Sequence, residues 1–279
     1  MSHFEFSIKA KDGIQLYAQG WEPVQSSRGC VIIVHGIGEY SGRYAHVAEA
    51  LNQAGYAVIA FDLRGHGKSE GKRGHTPTFE MLLDDLNLLI AETDRRYPGS
   101  PTFLYGHSLG GTIVMSYTLT RKPELAGVIA TGPSLRLAFD PPPAKIALGR
   151  LMDKILPAFT MPSGLETKAL SHDPEVVQKY ENDPLVHDKV SGRLFFGFMD
   201  AGSRLLTQAA DFPLPLLLMH GGLDRLTSPQ GSQEFAQKMG EKCTLKIWDG
   251  LYHEIHNEPE KDQVLSEMIS WLNQHIQTG

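Results

Sequence analysis

The sequence predicts an α/β fold in which helices cover both faces of a mostly parallel central sheet. Short uninterrupted apolar runs, typical of strands buried on both faces, alternate with amphipathic segments at helical spacing. The alternation stops after residue 131 and resumes near residue 211. The stretch between is rich in Pro, Met and Phe and shows no clear strand. We therefore expect a core formed by residues 1–133 and 211–279, with residues 134–210 inserted between late strands as a helical cap.

The first two segments predict an antiparallel hairpin that precedes the parallel part of the sheet. Residues 4–10 and 14–21 alternate between apolar and polar side chains, and Lys11-Asp12-Gly13 between them is typical of a turn. The later core strands are predicted at residues 30–34, 56–61, 102–105, 126–131, 214–219 and 244–248. The core helices are predicted at residues 44–54, 79–97, 109–120, 232–239 and 259–276.

Composition and charge exclude several classes of protein. The 26 basic residues are outnumbered by 32 acidic ones, and the net charge of −6 argues against a broad nucleic-acid interface, which needs a basic face. No apolar run approaches the roughly 18 residues that a membrane helix needs. The first residues, Met1-Ser2-His3-Phe4-Glu5, lack the basic and apolar regions of a signal peptide. We therefore expect a cytoplasmic protein.

Cysteine and histidine usage gives no indication of a metal site. Cys30 and Cys243 are too few for a disulfide framework, although they leave a single bridge open. The 12 histidines are scattered without the spacing of metal ligands. The sequence contains no feature that fixes an oligomeric state.

The strongest local motif is Gly106-His107-Ser108-Leu109-Gly110, which matches Gly-x-Ser-x-Gly. It begins where a predicted strand ends, and a predicted helix starts within it. The serine therefore lies on a sharp strand-to-helix turn that exposes its hydroxyl, and the glycines avoid collisions with neighbouring elements. The alternative is an ordinary glycine-rich turn. Its position between strand and helix favours Ser108 as a catalytic nucleophile.

A serine nucleophile needs a histidine base that a buried acid orients. In chains with this turn the acid follows a late strand and the histidine follows the last one. Asp224 and His253 occupy these two places, so they are the predicted acid and base. Asp249 and His256 are rivals, but Asp249 is too near His253 in sequence to reach its ring comfortably, and His256 lies further along the chain.

Attack on an ester carbonyl creates an oxyanion that needs preorganised N–H donors. One predicted donor is the backbone N–H of Leu109, at the start of the helix after the nucleophile. The second is the N–H of Ile37, in the glycine-containing loop His35-Gly36-Ile37-Gly38-Glu39 that follows a buried strand. His35 is expected to brace this loop rather than to act as a base.

Together these motifs resemble those of the α/β-hydrolase fold, and in particular those of monoacylglycerol lipases and the related lysophospholipase-like serine hydrolases. The resemblance runs from about residue 5 to about residue 275. Its most specific segments are residues 35–44, 65–71, 106–111, 180–185 and 252–256. It implies a serine esterase that needs no metal or organic cofactor and acts on a lipid ester.

The same resemblance implies a polar end of the site for glycerol. Carried over residue by residue, it places Glu39, Arg43, Tyr180 and His256 around the leaving group. A diol offers donors and acceptors that such side chains pair, and the site then rejects analogues that leave them unpaired. The alternative for the same residues is a structural link between Glu39 and Arg43, with Tyr180 and His256 at the surface.

The predicted cap contains an amphipathic segment that suits a lipid enzyme. Its apolar residues recur at helical spacing between Pro143 and Pro157, and they are Ile146, Leu148, Leu151, Met152, Ile155 and Leu156. Such a helix can cover an acyl site and make transient contact with a membrane surface. The alternative is a helix that only packs on the sheet domain.

The function that the sequence predicts is hydrolysis of monoacylglycerols to fatty acid and glycerol through an acyl-enzyme. A lysophospholipase or short-chain carboxylesterase with the same triad is the nearest alternative, and transfer of the acyl group to another alcohol remains open. A catalytically silent binding protein on this scaffold is a different class. The presence of every triad and oxyanion position argues against it.

Overall fold

The apolar runs of the sequence form ten strands in the computed structural model, which describes residues 2–276. Met1 and residues 277–279, included in the predicted core, lie outside the described residues. The strands are β1 Ser2–Lys9, β2 Gln15–Glu22, β3 Gly29–Val34, β4 Tyr56–Phe61, β5 Thr102–His107, β6 Gly127–Thr131, β7 Thr160–Pro162, β8 Lys189–Ser191, β9 Leu216–Gly221 and β10 Cys243–Trp248.

Eight helices connect these strands in the described part of the chain, apart from short 3₁₀ turns. They are α1 Ala45–Gln53, α2 Phe79–Arg96, α3 Leu109–Arg121, α4 Pro143–Ile155, α5 Pro174–Asn182, α6 Gly192–Thr207, α7 Pro229–Met239 and α8 Lys261–His275. All the core strands and helices predicted from the sequence are present, with ends that differ by up to three residues.

The main sheet has the strand order β1-β2-β4-β3-β5-β6-β9-β10. Only the β1–β2 and β2–β4 pairs are antiparallel, and all the others are parallel. The predicted hairpin turn closes with a 2.9 Å bond from Gly13 N–H to Ala10 O. The chain therefore has the predicted α/β-hydrolase fold: a mostly parallel eight-stranded sheet with helices on both faces.

Two apolar layers cover the sheet. On one face, side chains of α2, α3 and α7 such as Leu82, Ile113 and Phe235 are buried against it. On the other face, α1 and α8 contribute Val47 and Trp271. The central strands β3, β4 and β5 are buried along their whole length between these layers, which explains why their sequences are nearly continuous apolar runs.

The inserted segment between β6 and β9 contains α4, α5 and α6, as predicted, but it is not wholly helical. β7 and β8 pair within it as a small antiparallel ribbon, with Met161 opposite Val190. Each strand has only three residues. Such a length is too short to produce a period-two pattern, so these two strands could not be predicted from the sequence.

The carboxyl ends of the parallel strands meet at one edge of the sheet. Val34 of β3 pairs with Gly106 of β5, and His107 of β5 pairs with Thr131 of β6. Gly221 of β9 pairs with Trp248 of β10. The loops that carry the candidate site residues therefore leave the sheet side by side, as is usual for sites in such sheets.

Two further features concern the cysteines and the membrane. Cys30 and Cys243 are both free thiols, so the single bridge that the sequence left open is not formed. Among residues 2–276, no helix has the length and apolar content needed to cross a membrane.

Two elements approach each other very closely at Gly110, in the first turn of α3. A Cβ placed there would lie 2.0 Å from Val34 O and 2.6 Å from His35 O. Both atoms are backbone and cannot rotate away. We expect Gly110→Ala to lower the free energy of unfolding by about 2–3 kcal/mol, the usual cost of overpacking. In thermal unfolding this is a fall in Tm of roughly 5–10 °C.

The matched control is Gly231→Ala in α7, where an added Cβ has only ordinary contacts of 3.4 Å and longer. Because alanine also restricts the unfolded chain, we expect its Tm to equal or exceed that of the parent. Equal Tm values for the two variants would contradict the packing constraint at Gly110.

Candidate active site

Ser108 lies on the sharp turn that joins β5 to α3. Its φ of 53° is strained for a residue with a side chain. Backbone bonds hold the turn: Ser108 N–H donates to Thr131 O at 2.9 Å, and Ser108 O accepts from Thr112 N–H at 3.1 Å. This backbone directs the Ser108 side chain into a small pocket at the carboxyl edge of the sheet.

Asp224 and His253 meet beside this turn although 29 residues separate them in the chain. His253 Nδ1 lies 2.7 Å from Asp224 Oδ2. The other carboxylate oxygen accepts from Leu226 N–H at 2.8 Å and Thr227 N–H at 3.0 Å. Because a carboxylate only accepts, Nδ1 of His253 carries the proton and Nε2 is left as the free base.

The electrostatics of this pair favour a basic imidazole. Burial lowers the pKa of His253, but the Asp224 charge and hydrogen bond outweigh burial, so that its pKa lies above the ordinary 6.5. Burial raises the pKa of Asp224, but the attraction of His253 and the hydrogen bond from His220 hold that pKa well below its usual range. Asp224 is therefore ionised at every pH at which His253 gains or loses its proton.

Ser108 and His253 line the same small pocket. In the described part of the chain, no hydrogen bond joins Ser108 Oγ to the imidazole, and such bonds are often long before a substrate is bound. The lining residues are Gly36, Ile37, Glu39, His107, Ser108, Leu165, Leu170, Tyr180, His253 and Glu254.

Two backbone N–H groups beside Ser108 are free to bind an oxyanion. Within residues 2–276, neither Ile37 N–H nor Leu109 N–H donates to a protein acceptor. Leu109 begins α3, where the helix dipole favours negative charge. The loop that carries Ile37 is braced by His35, which donates Nδ1–H to Gly36 O at 2.7 Å and accepts Leu63 N–H at Nε2 at 2.9 Å.

Glu39 also holds this loop. Its Oε1 accepts Gly36 N–H at 2.6 Å and the Tyr44 hydroxyl at 2.8 Å, while Oε2 accepts Arg43 Nη1–H at 2.6 Å. Arg43 also donates two bonds of 2.7 Å to Glu254. Burial lowers the pKa of Arg43, but the two carboxylates outweigh it and hold that pKa well above its usual range. The salt link of Glu39 and Arg43 weighed from the sequence is thus present, and Glu254 extends it.

Tyr180 and His256 are both buried, so the alternative that places them at the surface is wrong. Tyr180 lines the pocket, and its ring packs under the Arg43 guanidinium at 4.8 Å. His256 is fully buried and stacks on Tyr44 at 5.0 Å. Burial lowers its pKa to about 3, so it is neutral. Arg43 and His256 lie behind the pocket wall, whereas Glu39 and Tyr180 form part of it.

Sequence reasoning did not find several residues of this site. Glu254 was not singled out, although it directly follows His253, because nothing in the sequence indicates that it reaches Arg43. Leu165 and Leu170 enter the pocket from the inserted segment, which carries no motif there. His220 contacts Asp224 from β9, and its spacing of four residues from that acid was the available signal.

No group of three or more His, Cys, Asp or Glu side chains in residues 2–276 is arranged to hold a metal ion.

The chain is similar to known proteins over nearly its whole length. A monoacylglycerol lipase of Mycolicibacterium smegmatis is 34% identical over 98% of both chains. An uncharacterized abhydrolase domain-containing protein of Dictyostelium discoideum is 36% identical over 98% of this chain, which spans only 29% of that longer protein. The crystal structure of Paleococcus ferrophilus monoacylglycerol lipase has 38% identity and a TM-score of 0.86, and the match covers 93% of this chain and 99% of that one.

Residues 25–260 match the Hydrolase_4 family, described as serine aminopeptidase, S33. The match covers well over half of the chain and includes the strained serine turn, the aspartate–histidine pair and the loop with the free N–H group. This protein belongs to the Hydrolase_4 family and has its α/β-hydrolase fold.

Proposed function

We propose that this protein is a serine hydrolase that cleaves monoacylglycerols to fatty acid and glycerol, with Ser108 as nucleophile, His253 as base and Asp224 as the acid. The observation that carries the proposal is the 2.7 Å bond from His253 to Asp224 beside a serine on a strained turn. The similarity to monoacylglycerol lipases over 98% of the chain supports this substrate class.

The reaction proceeds in two halves. Ser108 Oγ attacks the ester carbonyl while its proton moves to Nε2 of His253, and the tetrahedral intermediate expels glycerol, which takes that proton. Water then attacks the acyl–Ser108 ester and gives a proton to His253. The second tetrahedral intermediate expels Ser108 Oγ, which takes that proton back, and the fatty acid is released. Asp224 stabilises the imidazolium in both halves without itself becoming protonated.

The N–H groups of Ile37 and Leu109 form the oxyanion hole in this proposal. Both lack a protein acceptor in the described chain, so they are ready to bind the developing negative charge. The bond from Gly36 N–H to Glu39 fixes the backbone immediately before Ile37. Loss of one such donor typically costs about 10²–10³ in rate.

Glu39, Arg43, Tyr180 and His256 form the glycerol end of the site, in two layers. Glu39 and Tyr180 line the pocket and are placed to touch the glycerol hydroxyls. Arg43 and His256 do not line the pocket but support residues around it: Arg43 donates a hydrogen bond to Glu39, and His256 packs on Tyr44. The Tyr180 hydroxyl has no hydrogen-bond partner within residues 2–276, so it remains free for a substrate hydroxyl.

The inserted segment, residues 134–210, acts as a cap that makes transient contact with a membrane surface. No residue of α4 is buried. Leu148, Leu151 and Ile155 on this helix are between 53% and 62% exposed, and Leu156, Phe159 and Met161 continue the apolar surface. Lys145 and Lys154 on the same helix suit the polar headgroup region. Two free thiols are compatible with the reducing cytoplasm, where we place the protein.

The first test compares fatty-acid release from monoolein, lysophosphatidylcholine and a soluble butyrate ester. We expect the highest kcat/KM for monoolein, and Ser108→Ala reduces it by roughly 10⁴-fold or more because the nucleophile is lost. Ser116→Ala, in the helix that follows Ser108 but outside the pocket, keeps the parent rate.

Preference for lysophosphatidylcholine or butyrate would retain the triad and overturn the substrate proposal. Undiminished hydrolysis by Ser108→Ala would overturn the triad itself.

The glycerol end is tested with Tyr180→Phe, which removes only a hydroxyl. We expect kcat/KM for monoolein to fall roughly fivefold, the usual net value of one neutral hydrogen bond. Hydrolysis of methyl oleate, which has no glycerol hydroxyls, should not change. Tyr97→Phe, whose hydroxyl donates to Glu22 outside the pocket, is the matched control. Equal losses on both esters would exclude a contact with glycerol.

The membrane contact is tested with the double variant Leu151→Asp/Ile155→Asp. Because charged groups do not enter the acyl region, we expect its binding to phosphatidylcholine vesicles to weaken about tenfold or more in co-sedimentation. Its hydrolysis of soluble butyrate esters should match that of the parent. Val24→Asp, at a position that is 90% exposed outside the inserted segment, provides the control. Parent-like vesicle binding by the double variant would refute this role of α4.

A further inference from the structure

A second histidine contacts the acid of the proposed triad. His220, the fifth residue of β9, places Nε2 3.0 Å from Asp224 Oδ2, the same oxygen that bonds to His253. The His220 and Asp224 side chains are both completely buried. The mechanism above gives this histidine no part, although such a contact reaches the oxygen on which the base depends.

The neighbours of His220 determine where its proton lies. Nε2 faces two groups that can only accept, Asp224 Oδ2 at 3.0 Å and the backbone oxygen of Thr227 at 3.2 Å. Nε2 therefore carries a hydrogen. Nδ1 lies 2.7 Å from Oγ of Ser232 in α7, and this hydroxyl can donate to it. The imidazole is thus held from both sides, with an acceptor at one nitrogen and a donor at the other.

These contacts form a continuous chain of hydrogen bonds. It runs from the Ser232 hydroxyl through the His220 ring to Asp224 Oδ2, and from Oδ2 to the His253 ring beside Ser108. Two N–H groups thus share one carboxylate oxygen, and the Thr227 hydroxyl lies 2.9 Å from the same atom. Members of such chains polarise one another, so a change at one end alters the bonds at the other.

We propose that His220 is a positioning residue of this enzyme: it fixes the Asp224 carboxylate through Nε2–H and withdraws negative charge from the oxygen that serves His253. The proposal rests on the proposed triad. Without this donor, Oδ2 would attract the His253 proton more strongly and the imidazolium would become more stable. The base would then be protonated at a higher pH, and the carboxylate would be less firmly oriented.

Other charged and titratable groups also face His253. Glu254 and Glu39 raise its pKa, and the ring of His107 on β5 lies 4.7 Å away. His107 and His256 are neutral, because burial lowers the pKa of both. None of these groups bonds to His220 among the described residues. A change confined to His220 therefore reaches His253 through Asp224.

The test compares His220→Leu, which removes the donor, with His220→Gln, whose amide restores an N–H at a similar position. The measurement is the pH profile of kcat/KM for a p-nitrophenyl butyrate, which reports the pKa of the base in the free enzyme. For His220→Leu we expect about a tenfold fall in kcat/KM, far less than the ~10⁴-fold loss seen when a triad acid is replaced. We also expect the acid limb of this pH profile to shift to higher pH by about half a unit. For His220→Gln the limb should stay at the parent position.

Controls separate this role from general destabilisation. Asn52→Leu removes another buried polar side chain, which bonds to the oxygens of Trp21 and Tyr56, and should lower Tm without moving the limb. An unmoved limb in His220→Leu, or an equal shift in Asn52→Leu, would overturn the proposal.

If His220→Leu does not fold, Ser232→Ala replaces it. This variant removes the donor to Nδ1 and should give a smaller shift in the same direction, and an unmoved limb would again overturn the proposal. Ser108→Ala is run in the same assay. Parent-like activity of that variant would overturn the triad itself, whereas its inactivity together with an unmoved limb would overturn only the role of His220.

Discussion

The close approach of α3 to the carboxyl end of β3 is the constraint on which the site depends. It requires glycine at position 110, where a Cβ would lie 2.0 Å from Val34 O. This approach brings the first N–H of α3 next to the loop that carries Ile37, and Ser108, directly before α3, has a strained backbone conformation. This packing contact acts together with the bond from Ser108 to Thr131 and with the bonds of His35 and Glu39 that hold the loop. Such strain at a functional residue persists only because the surrounding sheet fixes it.

The second requirement is the arrangement of buried charge around His253. Glu39 and Glu254 share the single positive charge of Arg43, so that cluster carries a net negative charge in addition to the ionised Asp224. Buried charges are tolerated only when paired and hydrogen-bonded, and here each carboxylate accepts several bonds. In the proposed mechanism, the resulting field favours the imidazolium that forms when Ser108 loses its proton. The same side chains thus brace the oxyanion loop and bias the base.

The structural features that could be predicted from the sequence are those with a local sequence pattern. The apolar runs predicted the strands, and Gly-x-Ser-x-Gly between a strand and a helix predicted the turn at Ser108. Its place after a late strand favoured Asp224 over Asp249, which is too near His253 in sequence, and in the structure Asp224 lies 2.7 Å from His253. The contacts that depend on three-dimensional proximity did not follow. Glu254 reaches Arg43 across 211 residues, and the three-residue strands β7 and β8 have no periodicity to detect. His256 belongs to a recognisable sequence segment, but nothing in that segment indicates that its ring is fully buried behind the pocket.

We propose that Ser108 becomes acylated because the fold gives it a free base and two N–H donors. The most direct measurement is peptide mapping by mass spectrometry after reaction with a fluorophosphonate, a probe that modifies activated serines. We expect a single adduct, on the peptide that contains Ser108, and its loss in His253→Ala. An adduct on another residue, or equally fast labelling of His253→Ala, would contradict it.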